Sequence, residues 1–132
     1  MSPDELNTFL RTHFAGVSPL PVVESAGSDR VTVRLPYAPS SLRPGGSISG
    51  PAMMSLADTA AYMALLHRDG SATAAVTSHI GIHFLRKPTP GDLVGVGHIR
   101  KWGRRLCVVQ VTLFAGDKGT AVADATVSYM MP

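Results

Sequence analysis

The stretch Ser49-Gly50-Pro51-Ala52-Met53-Met54-Ser55-Leu56-Ala57-Asp58-Thr59-Ala60-Ala61-Tyr62-Met63-Ala64-Leu65-Leu66-His67 decides how the chain must fold. Pro51 suits the first turn of a helix, where a missing N–H is no loss, and the pattern predicts a helix over residues 51–67. Its apolar residues occupy nearly every face, which marks an element surrounded by protein rather than lying on a surface. Ser55, Asp58, Thr59 and Tyr62 recur at helical spacing and are read as one narrow polar stripe. An ionised carboxylate in such company is costly unless partnered, and no lysine or arginine lies within one turn of Asp58. Something outside the helix has to justify it.

Working outward, Ser2-Pro3-Asp4-Glu5 carries a capping hydroxyl, a proline at the first helical position and a carboxylate three residues after the cap. A short amphipathic helix follows within residues 1–16, with Leu6, Phe9, Leu10 and Phe14 on one face. Residues 21–25 and 30–35 are strand-like and separated by Ala26-Gly27-Ser28-Asp29, a hairpin. Residues 36–50, rich in Pro, Ser and Gly, form a loop. Beyond Asp69-Gly70 come four strand-like stretches, 74–87, 92–102, 105–116 and 120–130, with connections suited to antiparallel neighbours, including Gly116-Asp117-Lys118-Gly119. The order predicts an α+β domain, residues 1–132, with one antiparallel sheet wrapped on one buried helix.

The bulk properties agree. The chain has 132 residues, 45% of them hydrophobic, enough for one compact domain and too few for two. A single cysteine, Cys107, offers no disulfide framework and points to a reducing, cytoplasmic setting. The first residues lack the features of a secretory signal, and the longest apolar stretch, 51–66, is too short and too interrupted to span a membrane. A net charge of +3 permits an anionic ligand, while 6% aromatics and no zinc-finger or RNA-recognition signature argue against nucleic acid.

The start of the long helix supplies further chemistry, because free N–H groups near Gly50, Pro51 and Ala52 sit at the positive end of the helix dipole and can hold a developing oxyanion. Gly50 lets a ligand approach the backbone closely. Eight residues of helix nevertheless separate Gly50 from Asp58 by about 12 Å, so the two cannot serve one carbonyl within one chain. A site that uses both needs a second copy related by a two-fold axis, which predicts a homodimer with two equivalent interface sites.

Ser49 to Ala60 resembles the His-Gly-Gly, six residues, Asp-x-Ala motif of the hotdog-fold acyl-CoA thioesterases of the phenylacetate-degradation (PaaI) group. Ile80 to Pro88, followed by Gly91-Asp92-Leu93-Val94, looks like that group's next strand and turn, and the likeness covers roughly residues 20–131. The resemblance implies a hotdog fold, self-association as a homodimer or homotetramer, and hydrolysis of a medium-chain, long-chain or aromatic acyl-CoA, with the coenzyme A thioester as substrate and no other cofactor or metal. It makes Asp58 the base or nucleophile, the Gly50 N–H of the other subunit the donor to the thioester carbonyl, and Thr77, ahead of Ser78, the hydroxyl that helps place water. The group's histidine is Ser49 here, which can cap the helix as a serine, and an asparagine six residues earlier is Arg43.

Other candidates fill in a binding surface. Arg86 and Lys87 follow the strand expected to line the site and are the better choices for coenzyme A phosphates, whereas Arg104 and Arg105 are read as solvated charge. Ser49, Pro51, Ser55 and Tyr62 are candidates for the substrate pocket, and Met54 is read as core filler. His79 and His83 would lie about 13 Å apart in a strand, too far to share a metal ion, although His79 is kept as a residue bordering the site. No GxSxG elbow, P-loop, dinucleotide fingerprint or HExxH is present. Two rival functions remain: a non-catalytic acyl-CoA-binding module, and a thioester dehydratase, which usually needs a histidine where Ser49 stands.

Overall fold

The computed structural model describes residues 1–116 and 119–132; Asp117 and Lys118, in the last hairpin connection, lie outside the described residues. The elements run α1 (Pro3–His13), β1 (Val22–Gly27), β2 (Arg30–Leu35), a 3-10 turn at Pro39–Ser41, α2 (Gly50–Arg68), β3 (Val76–Phe84), β4 (Leu93–Trp102), β5 (Leu106–Ala115) and β6 (Ala121–Met130). Six antiparallel strands form one sheet in the order β1-β2-β4-β5-β6-β3, with α2 packed against it, the α+β hotdog arrangement.

Local chemistry explains the helix ends. Ser2 and Glu5 form a reciprocal capping box at α1, which stops at Phe14, two residues short of Gly16. At α2 the Ser49 hydroxyl accepts from the Ala52 N–H at 3.2 Å. The third β-rich stretch begins later than its composition suggests, because Ala72 to Ala75 form a hydrogen-bonded turn before β3.

Alternation sets the core. Val31, Val33 and Leu35 on β2, Cys107, Val109, Val111 and Leu113 on β5, and Ala123, Ala125, Val127 and Tyr129 on β6 all face inward and are buried. Leu56, Met63, Leu65 and Leu66 of α2 are fully buried beneath them, each burial stabilising by about 1.5–3 kcal/mol. On β4 the inward positions between Leu93 and Ile99 are Gly95 and Gly97. A Cβ on Gly97 would lie 3.0 Å from the Ala60 carbonyl oxygen, and one on Gly95 would lie 3.3 Å from Leu56. The strand thus touches the helix almost backbone to backbone, over Ala60 and Ala64.

Two side chains of α2 depart from the sequence reading. Thr59 is buried and its hydroxyl donates to the Ser55 carbonyl at 2.9 Å, so it satisfies itself on its own helix and leaves the polar stripe. Met54, read as core filler, is 39% exposed instead.

The close approach at Gly97 gives a direct test. Gly97→Val should lower unfolding stability by about 1–3 kcal/mol through overpacking. Gly27→Ala, where nothing lies within 4 Å, should change it by less than about 0.5 kcal/mol. Equal losses in urea titrations of the two variants would refute the contact as the cause.

Candidate active site

Asp58 sits halfway along α2 and is half-buried, at the margin of the sheet where β6 gives way to the edge strand β3. Two side chains converge on one of its oxygens. The Thr77 hydroxyl donates to Oδ1 at 2.8 Å, and the Tyr129 hydroxyl donates to the same atom at 2.6 Å. The Tyr129 hydroxyl also lies 3.2 Å from the Asp58 backbone carbonyl. Oδ2 has no hydrogen-bond partner among the described residues.

A β-bulge explains why Thr77 is the residue that arrives. The register of β3 on β6 shifts between Thr77 and His79, so Thr77 before it and Ile80 and Ile82 after it turn toward the helix. Ser78 is taken by the bulge and donates instead to the Ser128 carbonyl at 3.3 Å. His79 is exposed, with its Nε2 over Gly81, and makes no hydrogen bond to Asp58.

Tyr62, one helical turn beyond Asp58, stacks on Tyr129 with centroids 5.7 Å apart and planes 7° apart. Its hydroxyl donates to the Thr73 carbonyl at 2.7 Å. Phe9 and Phe14, at the inner face and end of α1, close over the same ring. Burial, then the hydrogen bond to Asp58, push the Tyr129 phenol well above its ordinary range, against a smaller opposing effect of Thr77. Burial raises Tyr62 as well.

The other half of the chemistry lies at the helix start. Pro51 has no N–H, the Ala52 N–H is held by the Ser49 hydroxyl and the Met53 N–H by the Ser49 carbonyl. The expectation of several free donors there therefore narrows to one, since among the described residues only the Gly50 N–H has no partner. Gly50 opens into a cleft of about 510 Å³ with Met53 and Phe84 on its walls and Arg43, Arg86 and Lys87 along it; no carboxylate of the described residues lines it. Ser49, Pro51 and Ser55 border a second cleft of about 300 Å³ on the other flank of α2. The sequence-derived candidates thus fall into three places: Asp58, Thr77 and Tyr62 together; Gly50 with Arg86 and Lys87; and Ser49, Pro51 and Ser55. Among the described residues no three His, Cys, Asp or Glu side chains come together as metal ligands would. No helix there is long and apolar enough to cross a membrane.

Sequence reasoning missed Tyr129, although a signal existed. Positions 123, 125, 127 and 129 share the inward face of β6, and a tyrosine closing an otherwise apolar row carries a hydroxyl that must find a partner inside.

Residues 45–122 match the model of the thioesterase superfamily, so the chain belongs to that family, and its chemistry is thioester hydrolysis. Over its full length it is similar to the crystal structure of a candidate thioesterase from a Silicibacter species, with 32% identity, 92% of that chain covered and a TM-score of 0.89. It also shares its fold with zebrafish thioesterase superfamily member 2, at 19% identity over 100% and 99% of the two chains and a TM-score of 0.86. A phenylacetic acid degradation-related protein from Ralstonia eutropha is similar at 22% identity over 83% of each chain, with a TM-score of 0.76. No curated protein sequence matches the chain.

The buried phenols make stability depend on alkaline pH. A raised folded-state value means that the unfolded chain loses these protons first, near pH 10, so the stabilisation is complete below that pH and is lost as pH rises above it. Urea titrations between pH 8 and 11 should show stability falling above about pH 10. Tyr129→Phe should flatten that fall.

Proposed function

We propose that the protein hydrolyses acyl-CoA thioesters of the PaaI type, with medium-chain, long-chain or aromatic acyl groups, at sites shared between two subunits. The observation that carries this reading is the placement of the two half-sites at opposite ends of one edge strand. Asp58 is hydrogen-bonded to Thr77 near the start of β3, whereas Gly50 lies against Phe84 at its end. Strand β3 is an edge, with a free row of backbone groups, and Val76, Phe84 and Leu85 on or beside it are about half exposed. Antiparallel pairing of two β3 strands about a two-fold axis sets the start of one beside the end of the other. Asp58 then faces the partner subunit's Gly50, which no single chain achieves.

In that site the unpartnered Gly50 N–H polarises the thioester carbonyl. A water molecule, its proton taken by Asp58, adds to the carbonyl carbon, and the negative charge gathers on the oxygen beside the Gly50 N–H. Collapse of the tetrahedral intermediate breaks the C–S bond. The thiolate takes up the proton, so one water and one thioester give one acid and one free thiol. Arg86 and Lys87, with Arg43, line a cleft that holds no carboxylate among the described residues, and they suit the phosphates of coenzyme A. The homodimer, and a homotetramer built from it, belong to this proposal, as does a cytoplasmic location.

Thiol release from a panel of acyl-CoAs tests it. Wild-type protein should turn over, and Asp58→Asn should lose at least about 100-fold in kcat with the ester still bound. Ester binding with no turnover by the wild type would instead favour a binding module, and a strictly monomeric protein would contradict the shared site.

The cationic cleft has its own expectation. Replacing Arg86 and Lys87 with alanine should raise KM for acyl-CoA about 3- to 30-fold. For the same acyl group on N-acetylcysteamine, which lacks phosphates, KM should not change.

A further inference from the structure

The residue least explained by the chemistry so far is Tyr129. It lies 71 positions from Asp58 in sequence, on the inward face of β6, and is 4% exposed. Its hydroxyl reaches both the Asp58 Oδ1 and the Asp58 backbone oxygen. A hydroxyl has one proton, and the 2.6 Å separation to the carboxylate is that of a short, charge-assisted bond.

We propose that Tyr129 is the positioning residue of the reaction: with Thr77 it saturates Oδ1 of Asp58, fixes the carboxylate plane, and leaves Oδ2 as the oxygen presented to the reacting water. This rests on the thioesterase reading above and names which atom of Asp58 does the work. Three features of the structure combine in it. Both hydroxyls point at Oδ1, although a carboxylate could spread two donors over its two oxygens. The Tyr129 ring cannot swing away, because Tyr62 stacks on it in near-parallel contact and is itself tethered to the Thr73 carbonyl and roofed by Phe9 and Phe14. Thr77 approaches from a different strand, just before the bulge in β3, so the carboxylate is held from two elements and cannot rotate without breaking a bond to one of them.

The ionisable neighbours of the Tyr129 hydroxyl are Asp58 and Tyr62, both on α2. Among the described residues no lysine, arginine or histidine forms an ion pair with Asp58. The two hydroxyls are therefore its side-chain partners among the described residues. Tyr129 touches neither substrate nor water in this scheme; it acts through Asp58.

Tyr129→Phe keeps the ring and the stack and removes the hydroxyl alone. In the intact protein, with the best acyl-CoA found for the wild type, kcat should fall about 10- to 100-fold while KM stays within about 3-fold. The loss should lie in kcat per folded enzyme, so that normalising to the folded fraction does not restore it. Tyr37→Phe, which removes a phenol hydroxyl from an exposed loop residue not hydrogen-bonded to Asp58 or Tyr129, should leave kcat and KM within about 3-fold. A merely structural role for Tyr129 would lower the melting temperature and the amount of active enzyme while kcat per folded enzyme stayed at the wild-type value. Full kcat per folded enzyme in Tyr129→Phe, alongside an inactive Asp58→Asn, would overturn the positioning role and leave the thioesterase reading intact. No turnover of any acyl-CoA by the wild type would overturn that reading, and the proposal with it.

Discussion

The contact between α2 and β4 is the constraint on which the rest of the structure depends. Gly95 and Gly97 on the strand and Ala60 and Ala64 on the helix bring the two backbones so close that no larger side chain fits at Gly97 without displacing a helix carbonyl. A long helix held this tightly turns most of its residues toward protein. Ten of its nineteen residues are buried. A polar side chain on such a helix has few directions available, and the one Asp58 takes leads to the edge of the sheet, where α2 runs past β6 and β3. The location of the carboxylate follows from the packing rather than from any preference of the local sequence.

At that edge the problem of charge is solved with neutral donors. An arginine or lysine partner would offset the charge of Asp58, whereas two neutral hydroxyls hold the side chain in place without a counter-charge. The arrangement requires a tyrosine whose own proton stays on, and burial secures that by holding the Tyr129 phenol above its ordinary range. The aromatic group from α1 and α2 has a similar purpose. Phe9 and Phe14 pack on Tyr62, the outer ring of the tyrosine pair, and keep the rings from rearranging. Helix α1, more than 40 residues before Asp58 in sequence, thereby braces the ring stack.

Much of this was legible in the sequence, and what was not has identifiable reasons. Helix α2 and the six strands follow from periodicity and turn residues, because burial of α2 and alternation in β2, β4, β5 and β6 are properties of contiguous residues. Asp58 stands out as a charge in an apolar helix. Thr59 was misassigned to the polar stripe because spacing cannot reveal that a threonine satisfies its hydroxyl on the preceding turn. Met54 was taken for core because the exposed strip of α2 beside the β3 edge is invisible without the sheet order. The priority of Thr77 over Ser78 came from family resemblance, and its physical cause is a bulge that no composition signals. Tyr129 was missed because its partner is 71 residues away, even though its place in the inward row of β6 marked it as a hydroxyl in need of one.

The proposed pairing of β3 strands makes the active-site geometry a matter of register. Antiparallel strands can slip only in steps that preserve the pleat, about 7 Å for two residues, so the distance between one subunit's Asp58 and the other's Gly50 is quantised rather than continuously adjustable. A misplacement of about 1 Å at a reacting centre costs on the order of 100-fold in rate, and any slipped register exceeds that several times over. The bulge at Thr77 and His79 contributes here as well as to Asp58, because it interrupts the regular ladder near one end of the edge strand and makes the two ends of β3 inequivalent. An edge with inequivalent ends distinguishes the correct two-fold pairing from its slipped alternatives. In the proposed pairing, the feature that brings Thr77 to the carboxylate would therefore also help fix where a second subunit lies.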